Sequence, residues 1–142
     1  MELTNFDKQF VERTKIIVET ICTDDFQYNA TLLLNCLVGL ISLPTERTDP
    51  NNNAFISTCV DKLKEMGVIT HFTSDEKTFR TIKNAISHMY IDAHNTSGII
   101  ASIVLADRLR RNMDAHTELH FTINQLKEFA LFVADKHLER FQ

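Results

Sequence analysis

The feature that most constrains this chain is an apolar run at residues 32–43, which Pro44 closes. Read at the helical period, residues 27–43 form a helix that is apolar on nearly every side. Such a helix has to be surrounded by the rest of the chain, so the run predicts a central, buried helix that ends at Pro44. It is too short to span a bilayer, which needs about 20 apolar residues. Asn35 falls inside it and is expected to be a satisfied core amide or an interface amide.

Four further helices are predicted around this central one. Apolar residues at helical spacing and end signals place them at residues 5–22, 54–66, 74–94 and 123–142. The start signals are Thr4 with Asp7, Ser74 with Asp75, and Thr122 with Gln125. Gly67 is a C-terminal cap of the second of these helices. In the first, the apolar stripe would contain Phe6, Phe10, Ile17 and Ile21.

Residues 99–106 break the helical period, because they are rich in isoleucine, valine and leucine and read as a strand. Residues 118–121 are its expected antiparallel partner. The chain has only three glycines and two prolines, which argues against an all-β protein. The predicted fold is therefore mostly α: a helical bundle of about five helices with a small β-hairpin before the last helix.

Length and charge restrict the functional classes. The 142 residues fit one domain, which we place at residues 1–142. A net charge of −4 gives no indication of a broad nucleic-acid-binding surface, so any such contact needs a local basic patch. The candidates for that patch are Arg108, Arg110 and Arg111, in the connection between the two strands. A solvated loop is the simpler interpretation of these arginines, and contact with an RNA backbone is the functional one.

The cysteines and the N-terminus indicate a cellular location. Cys22, Cys36 and Cys59 are widely spaced among apolar neighbours, which is typical of buried thiols in a reducing compartment. No pair of them has the spacing of a zinc site, and we expect no metal and no cofactor. The first residues lack the charged start and apolar run of a signal peptide, and we expect no membrane contact. The sequence thus predicts a cytoplasmic protein.

The predicted helix at residues 74–94 carries the residues with useful chemistry. At about 100° per residue, its core side would contain Phe79, Ile82, Ile86, Met89, Tyr90 and Ala93. Arg80, Asn84 and His88 are spaced by four and form a row on roughly the opposite face. Ile91 joins that row, and an apolar residue there indicates a second packing surface such as a partner subunit.

The row on this helix has a simple and a functional interpretation. It could be a solvated helix face with His88 at the surface. Alternatively, His88 could move a proton near neutral pH, since histidine is the side chain best suited to that task. A cation and an amide beside it could hold a phosphate and orient a ribose hydroxyl.

The segment Lys83-Asn84-Ala85-Ile86-Ser87-His88 resembles the signature of the HEPN superfamily, which is an arginine, usually a polar residue, and a histidine after a short spacer. The buried run, the hairpin and the closing helix are also similar to small stand-alone HEPN proteins, so the resemblance covers residues 31–141. It implies a helical domain that dimerises through its signature helices. It also implies metal-independent cleavage of RNA in active members, often in defence or toxin–antitoxin systems, where an antitoxin protein is a further partner.

Carried onto this chain, the resemblance implies that His88 is the catalytic histidine and Asn84 the polar residue. Lys83 stands where the family has arginine, and Arg80 lies one turn earlier, with seven residues between it and His88. Arginine holds a phosphate with a planar fork, whereas lysine is a mobile point charge. Two functions stay open: an RNA-cleaving ribonuclease using these four residues, or a non-catalytic dimer that binds nucleic acid, a nucleotide or a protein. A purely structural helical subunit is a third class.

Overall fold

The computed structural model describes residues 4–46, 52–106 and 117–141. Over these residues the chain forms five helices and four strands. In chain order they are α1 (Asn5–Thr20), α2 (Asn29–Glu46), α3 (Asn52–Met66), β1 (Ile69–His71), α4 (Asp75–Ser87), β2 (Ile91–Thr96), β3 (Ile99–Ala106), β4 (Glu118–Thr122) and α5 (Ile123–Arg140). The predicted mostly helical fold with a hairpin before the last helix is confirmed.

The central position predicted for α2 is confirmed. Leu33, Leu37 and Leu40 are fully buried, and the helix contacts α1, α4 and α5. It is nevertheless not enclosed on every side, because Thr31 and Asn35 are exposed. The interpretation of Asn35 as a core amide is therefore wrong, while a role at an interface stays a prediction.

Pro44 does not end α2 as predicted, since the helix continues to Glu46. A proline inside a helix removes the N–H that would bond the carbonyl four residues earlier, here that of Leu40. That carbonyl is not left without a donor, because the Nε2–H of His137 on α5 donates to it at 2.8 Å. The buried imidazole thus compensates for the hydrogen bond that the proline cannot make.

The start of α1 is confirmed, but its predicted apolar stripe is confirmed only for Phe10 and Ile17, which are partly buried against the core. Thr4 and Asp7 form the capping box, in which each side chain accepts a hydrogen bond from the other residue's backbone N–H. The residues of α1 that are buried are Asp7, Val11, Thr14 and Val18. Phe6 and Ile21 are exposed, because the side that contacts α2 and α5 is rotated away from them.

The end of α3 and the starts of α4 and α5 agree with their sequence signals. Gly67 follows α3 with φ +71°, a conformation that suits a glycine at the end of a helix. Thr122 and Gln125 form the capping box of α5. Ser74 caps α4 by accepting from the N–H of Lys77 at 3.2 Å.

The four described strands form one antiparallel sheet in the order β1-β4-β3-β2. The predicted hairpin of β3 and β4 is confirmed, and the sheet is wider than predicted because β1 and β2 flank it. Its inner face is buried against the helices through Ile103, Leu105, Leu119 and Phe121. None of the described helices is both long and apolar enough to cross a membrane.

Candidate functional site

The candidate site lies on α4, which has one buried and one open face. Its buried residues are Thr78, Phe79, Thr81, Ile82, Ala85 and Ile86. Arg80 is exposed on the other side, Asn84 is half-buried there, and the exposed His88 is the residue that caps the helix. The structure therefore places the three residues of the predicted row along one open helix face.

The first turn of α4 is attached to α3 through Asp75. The hydroxyl of Ser57 donates to Asp75 Oδ2 at 3.1 Å, and Lys64 Nζ lies 3.8 Å from Asp75 Oδ1. Asp75 and Glu76 also place negative charge in the first turn of α4, where it interacts favourably with the positive end of the helix dipole. These contacts fix the position of α4, and with it the position of the row, relative to the other helices.

Helix α4 ends at Ser87, seven residues before the predicted end at residue 94. The N–H of His88 donates to the carbonyl of Asn84 at 2.9 Å, and the N–H of Tyr90 donates to that of Ala85 at 2.8 Å. Between them Met89 has φ +61°, so the chain turns as in a Schellman motif. A methionine in this conformation is strained, and strained residues concentrate at functional sites.

This early end changes the surroundings of His88. Met89, predicted to face the core, is exposed, and Tyr90 and Ile91 follow the turn outside the helix. Ile91 begins β2, so its assignment to the helical row is wrong, and so is the argument for a partner surface that rested on it. Tyr90 packs beside the candidate histidine, with 5.7 Å between the two ring centroids. The core packing predicted for Tyr90 is confirmed, since the side chain is partly buried against the core, but the sequence does not predict its contact with His88.

Within one chain Arg80 and His88 do not converge on a shared point. Eight positions separate them, which is ~12 Å along the axis of a helix. The guanidinium of Arg80 instead donates to Glu76 Oε1 at 2.7 Å, one turn towards the start of the helix. This direction is the usual one, because helical side chains tilt towards the N-terminus. Lys83 is half-buried on the flank of the open face.

A second group of titratable residues lies on the outer face of the sheet and was not predicted. His120 Nε2 lies 2.6 Å from Glu118 Oε1, and His71 Nδ1 lies 3.9 Å from Glu118 Oε2. The alternation of polar and apolar residues along β4 indicates that Glu118 and His120 share a face. The position of His71 next to them depends on the pairing of β1 with β4, which no local sequence pattern predicts.

Several other predicted features can be compared with the structure. Burial of the three cysteines is confirmed, and it raises the pKa of Cys22 to about 11 and that of Cys59 to about 12. Among the residues that the structure describes, no group of three or more histidine, cysteine or acidic side chains could hold a metal ion. Arg108, Arg110 and Arg111 lie outside the described residues.

A family model described as HEPN pEK499 p136 matches residues 1–142. No curated protein and no solved structure matches the chain.

Proposed function

Because the chain belongs to the HEPN family described as pEK499 p136, we propose that it is a metal-independent ribonuclease that cleaves RNA on the open face of α4. The observation that carries the proposal is the placement of Arg80, Asn84 and His88 along that face, while the opposite face is buried in the core. None of the three is needed to fill the core, so their chemistry is available to a ligand.

In the proposed reaction His88 acts as the acid–base group. The imidazole takes the proton of a ribose 2′-hydroxyl, which attacks the adjacent phosphorus, or it returns a proton to the leaving 5′-oxygen. Arg80 and Lys83 stabilise the charge that develops on the phosphate oxygens, and Asn84 orients the phosphate by hydrogen bonds. The products are a strand with a 2′,3′-cyclic phosphate and a strand with a free 5′-hydroxyl.

Arg80 and His88 are too far apart to act together within one chain, but they could meet across the interface of a dimer. Asn84 lies midway between them, four residues from each. If two α4 helices pack antiparallel around a two-fold axis at Asn84, Arg80 of one subunit lies opposite the partner subunit's His88. Such an isologous contact creates two identical sites. We therefore propose a homodimer, for which light scattering at micromolar concentration should give twice the mass of the chain.

The ion pair of Arg80 with Glu76 does not prevent this use of the guanidinium. The two side chains are 56% and 77% exposed. An exposed pair at this helical spacing is worth only about 0.3–0.5 kcal/mol. A bidentate contact with a phosphate is stronger, so Arg80 can exchange its partner when RNA binds.

The direct test is incubation of the purified protein with RNA in the presence of a chelator. Wild type should cut the RNA, and His88→Ala should lower the rate by roughly 10²–10⁴. His94→Ala is the matched control, because His94 is also an exposed histidine but lies on β2, outside the proposed site. Equal cleavage by wild type and His88→Ala would show that the proposed site is wrong.

A second candidate function is a non-catalytic dimer that binds nucleic acid, a nucleotide or a protein. It is favoured by Lys83 in the place of the family's arginine and by the pairing of Arg80 with Glu76. This candidate predicts RNA retention in a gel-shift assay without any cleavage by wild type. The arginines at 108, 110 and 111 would then supply the backbone contacts, and their replacement should flatten the dependence of affinity on salt.

The biological role follows from the same proposal. A cytoplasmic ribonuclease of this kind would act as a toxin or in defence, with an antitoxin protein as its partner. Induced expression of wild type should then arrest growth, whereas His88→Ala should not. A nucleotidyltransferase gene or a restriction-type gene next to the gene of this protein would support the same toxin or defence role.

A further inference from the structure

Helix α2 has an open side that carries no charge. Thr31 and Asn35 are exposed on this side, and Leu34 and Val38 are half-buried beside them. The sequence contains no charged residue between positions 26 and 45, whereas the exposed residues of α1, α3 and α5 include charged ones. The outer face of a solvated helix normally carries charge, while the centres of protein–protein interfaces are depleted of it. The open side of α2 therefore has the composition of an interface.

This side of α2 continues the open face of α4. The two helices are in contact, and each has another element behind it: α5 packs on α2, and β3 packs on α4. Because α5 itself contacts β3, both supporting elements lie on the same side of the helix pair. The open side of α2 and the open face of α4 consequently point in the same direction and form one surface.

The proposed dimer needs more surface than α4 alone supplies. With 13 residues, α4 is ~20 Å long and ~10 Å wide, so its face covers on the order of 200 Å². A stable interface buries about 800 Å² on each partner. The 18 residues of α2 add on the order of 270 Å².

The apolar surface continues from α2 onto α1. The ring of Phe10 lies against Gly39 of α2, and Phe6, one turn earlier on α1, is 66% exposed. A contact that uses the open sides of α2 and α4 with this edge of α1 approaches the area that a stable dimer requires. A contact through α4 alone covers only about a quarter of it.

The open side of α2 also suits a second copy of the same chain. A two-fold contact brings a surface against itself, so a face of one charge would repel its own copy. The hydroxyl of Thr31 and the amide of Asn35 can each donate and accept hydrogen bonds, so each can pair with the same group on a partner. Leu34 and Val38 add apolar surface between them. A neutral face of this kind is complementary to itself.

We propose that α2 packs antiparallel against the partner subunit's α2 and supplies the larger part of the dimer interface. One two-fold axis that crosses both α2 and α4 relates each helix to its copy, so the two contacts form together. Full overlap of the two α2 helices places this axis near the middle of α2, within about one turn of Asn35. The inference rests on the proposed function, because cleavage needs this dimer to bring Arg80 to the partner subunit's His88.

Asn35→Arg tests this interface, because the residue is exposed in the single chain and the substitution leaves the core intact. Two guanidinium groups would then face each other near the axis, so the dissociation constant of the dimer should rise at least about 100-fold. Light scattering over a series of protein concentrations measures it. Asn124→Arg, the same change at an exposed position on α5, is the matched control and should leave the dimer unchanged. A dimer of Asn35→Arg that is as tight as wild type would overturn the inference.

A mixture of oppositely charged variants separates an effect on the interface from an effect on folding. Asn35→Glu alone should be monomeric for the same reason as Asn35→Arg. An equimolar mixture of the two should recover the dimer, because a carboxylate then faces a guanidinium across the axis. If both variants melt cooperatively but their mixture stays monomeric, the proposed packing of α2 is wrong.

RNA cleavage distinguishes this inference from the proposed ribonuclease. Asn35→Arg should lose cleavage together with the dimer, and the mixture with Asn35→Glu should recover both. If Asn35→Arg is monomeric but wild type cleaves no RNA, the ribonuclease proposal fails alone. If wild type cleaves RNA and Asn35→Arg stays dimeric, the inference about α2 fails alone.

Discussion

The buried imidazole of His137 connects two parts of the chain that are distant in sequence. Its Nε2–H donates to the carbonyl of Leu40, which Pro44 leaves without a helical donor, and its ring lies 4.3 Å from that of Phe55. On the other side Nδ1 lies 3.5 Å from Nη1 of Arg140, so the neutral ring can accept there. The contact with Arg140 requires the uncharged imidazole, because a protonated Nδ1 cannot accept a hydrogen bond, whereas the bond to Leu40 would survive protonation. Burial and the neighbouring guanidinium both disfavour the charged ring, so protonation of this residue should oppose folding.

The stability of the protein should accordingly fall in mild acid. Burial is the main cause that lowers the pKa of His137 to about 4, from an ordinary value of 6.5. As pH drops from 6.5 towards 4, the unfolded chain binds a proton here and the folded chain does not, so the free energy of unfolding decreases. The loss between pH 7 and pH 5 should be about 2 kcal/mol.

His137→Gln isolates this effect, because its side-chain amide can still donate to Leu40 without titrating. Chemical denaturation at pH 7 and pH 5 measures the change for both proteins. The variant should lose about 2 kcal/mol less than wild type over that interval. Parallel pH profiles would mean that His137 is protonated in the folded protein as readily as in the unfolded chain.

A second prediction concerns Lys83, which stands where the HEPN signature has an arginine. If the protein cleaves RNA, Arg80→Ala should reduce the rate more than Lys83→Ala, because Arg80 shares the open face with His88 and has the fork geometry. Lys83→Arg should preserve or raise the rate by restoring the family's usual residue. Initial rates on one RNA substrate compare the three variants. A larger loss in Lys83→Ala would assign the phosphate contact to Lys83 instead.

At the scale of the elements, the predictions held where a local signal determines structure. Thr4, Ser74 and Thr122 placed helix starts correctly, because a cap needs only residues that are close in sequence. The end of α4 was missed because the turn uses Met89, whereas glycine is the residue expected at a positive φ. Strand β2 was missed for a related reason, since its residues continue a helical pattern and become a strand by pairing with β3.

The strain at Met89 can be measured. Met89→Gly should raise the free energy of unfolding by up to about 1 kcal/mol, because glycine adopts a positive φ without steric conflict. Met89 is 74% exposed, so the substitution removes little buried surface. Met89→Ala keeps the Cβ atom and should give no such gain. A stability of Met89→Gly below that of Met89→Ala would argue against the turn at the end of α4.

The central helix gives a sharper test. Leu37→Asp should abolish soluble folding, because Leu37 is fully buried and an unpaired buried carboxylate costs several kcal/mol, comparable with the stability of a whole domain. Asn35→Asp is the matched control, since it places the same carboxylate at an exposed position on the same helix. Solubility and thermal melts compare the two. A soluble, cooperatively melting Leu37→Asp would show that α2 is not central.

For the whole molecule, the resemblance of residues 83–88 to the HEPN signature predicts the family correctly. The row of Arg80, Asn84 and His88 was also correctly placed on one face, because helical spacing alone determines it. The pairing of Arg80 with Glu76 and the contact of Tyr90 with His88 depend on side-chain directions and on the turn at Met89. The spacing of residues along the sequence carries no information about either of these two contacts. Because Arg80 and His88 do not converge within one chain, a site that uses both residues would require a second subunit.

Subunit complementation tests the proposed antiparallel dimer. In that arrangement, a mixed dimer of Arg80→Ala and His88→Ala chains contains one site in which both residues are replaced and one site that is complete. Random exchange makes about half of the dimers mixed, so two inactive variants together should recover about a quarter of wild-type activity. The reciprocal mixture combines wild type with a chain that carries both substitutions. Every mixed dimer then contains only incomplete sites, so the added chain should inhibit wild type. If the site instead lies within one chain, the first mixture stays inactive and the added chain leaves the activity of wild type unchanged.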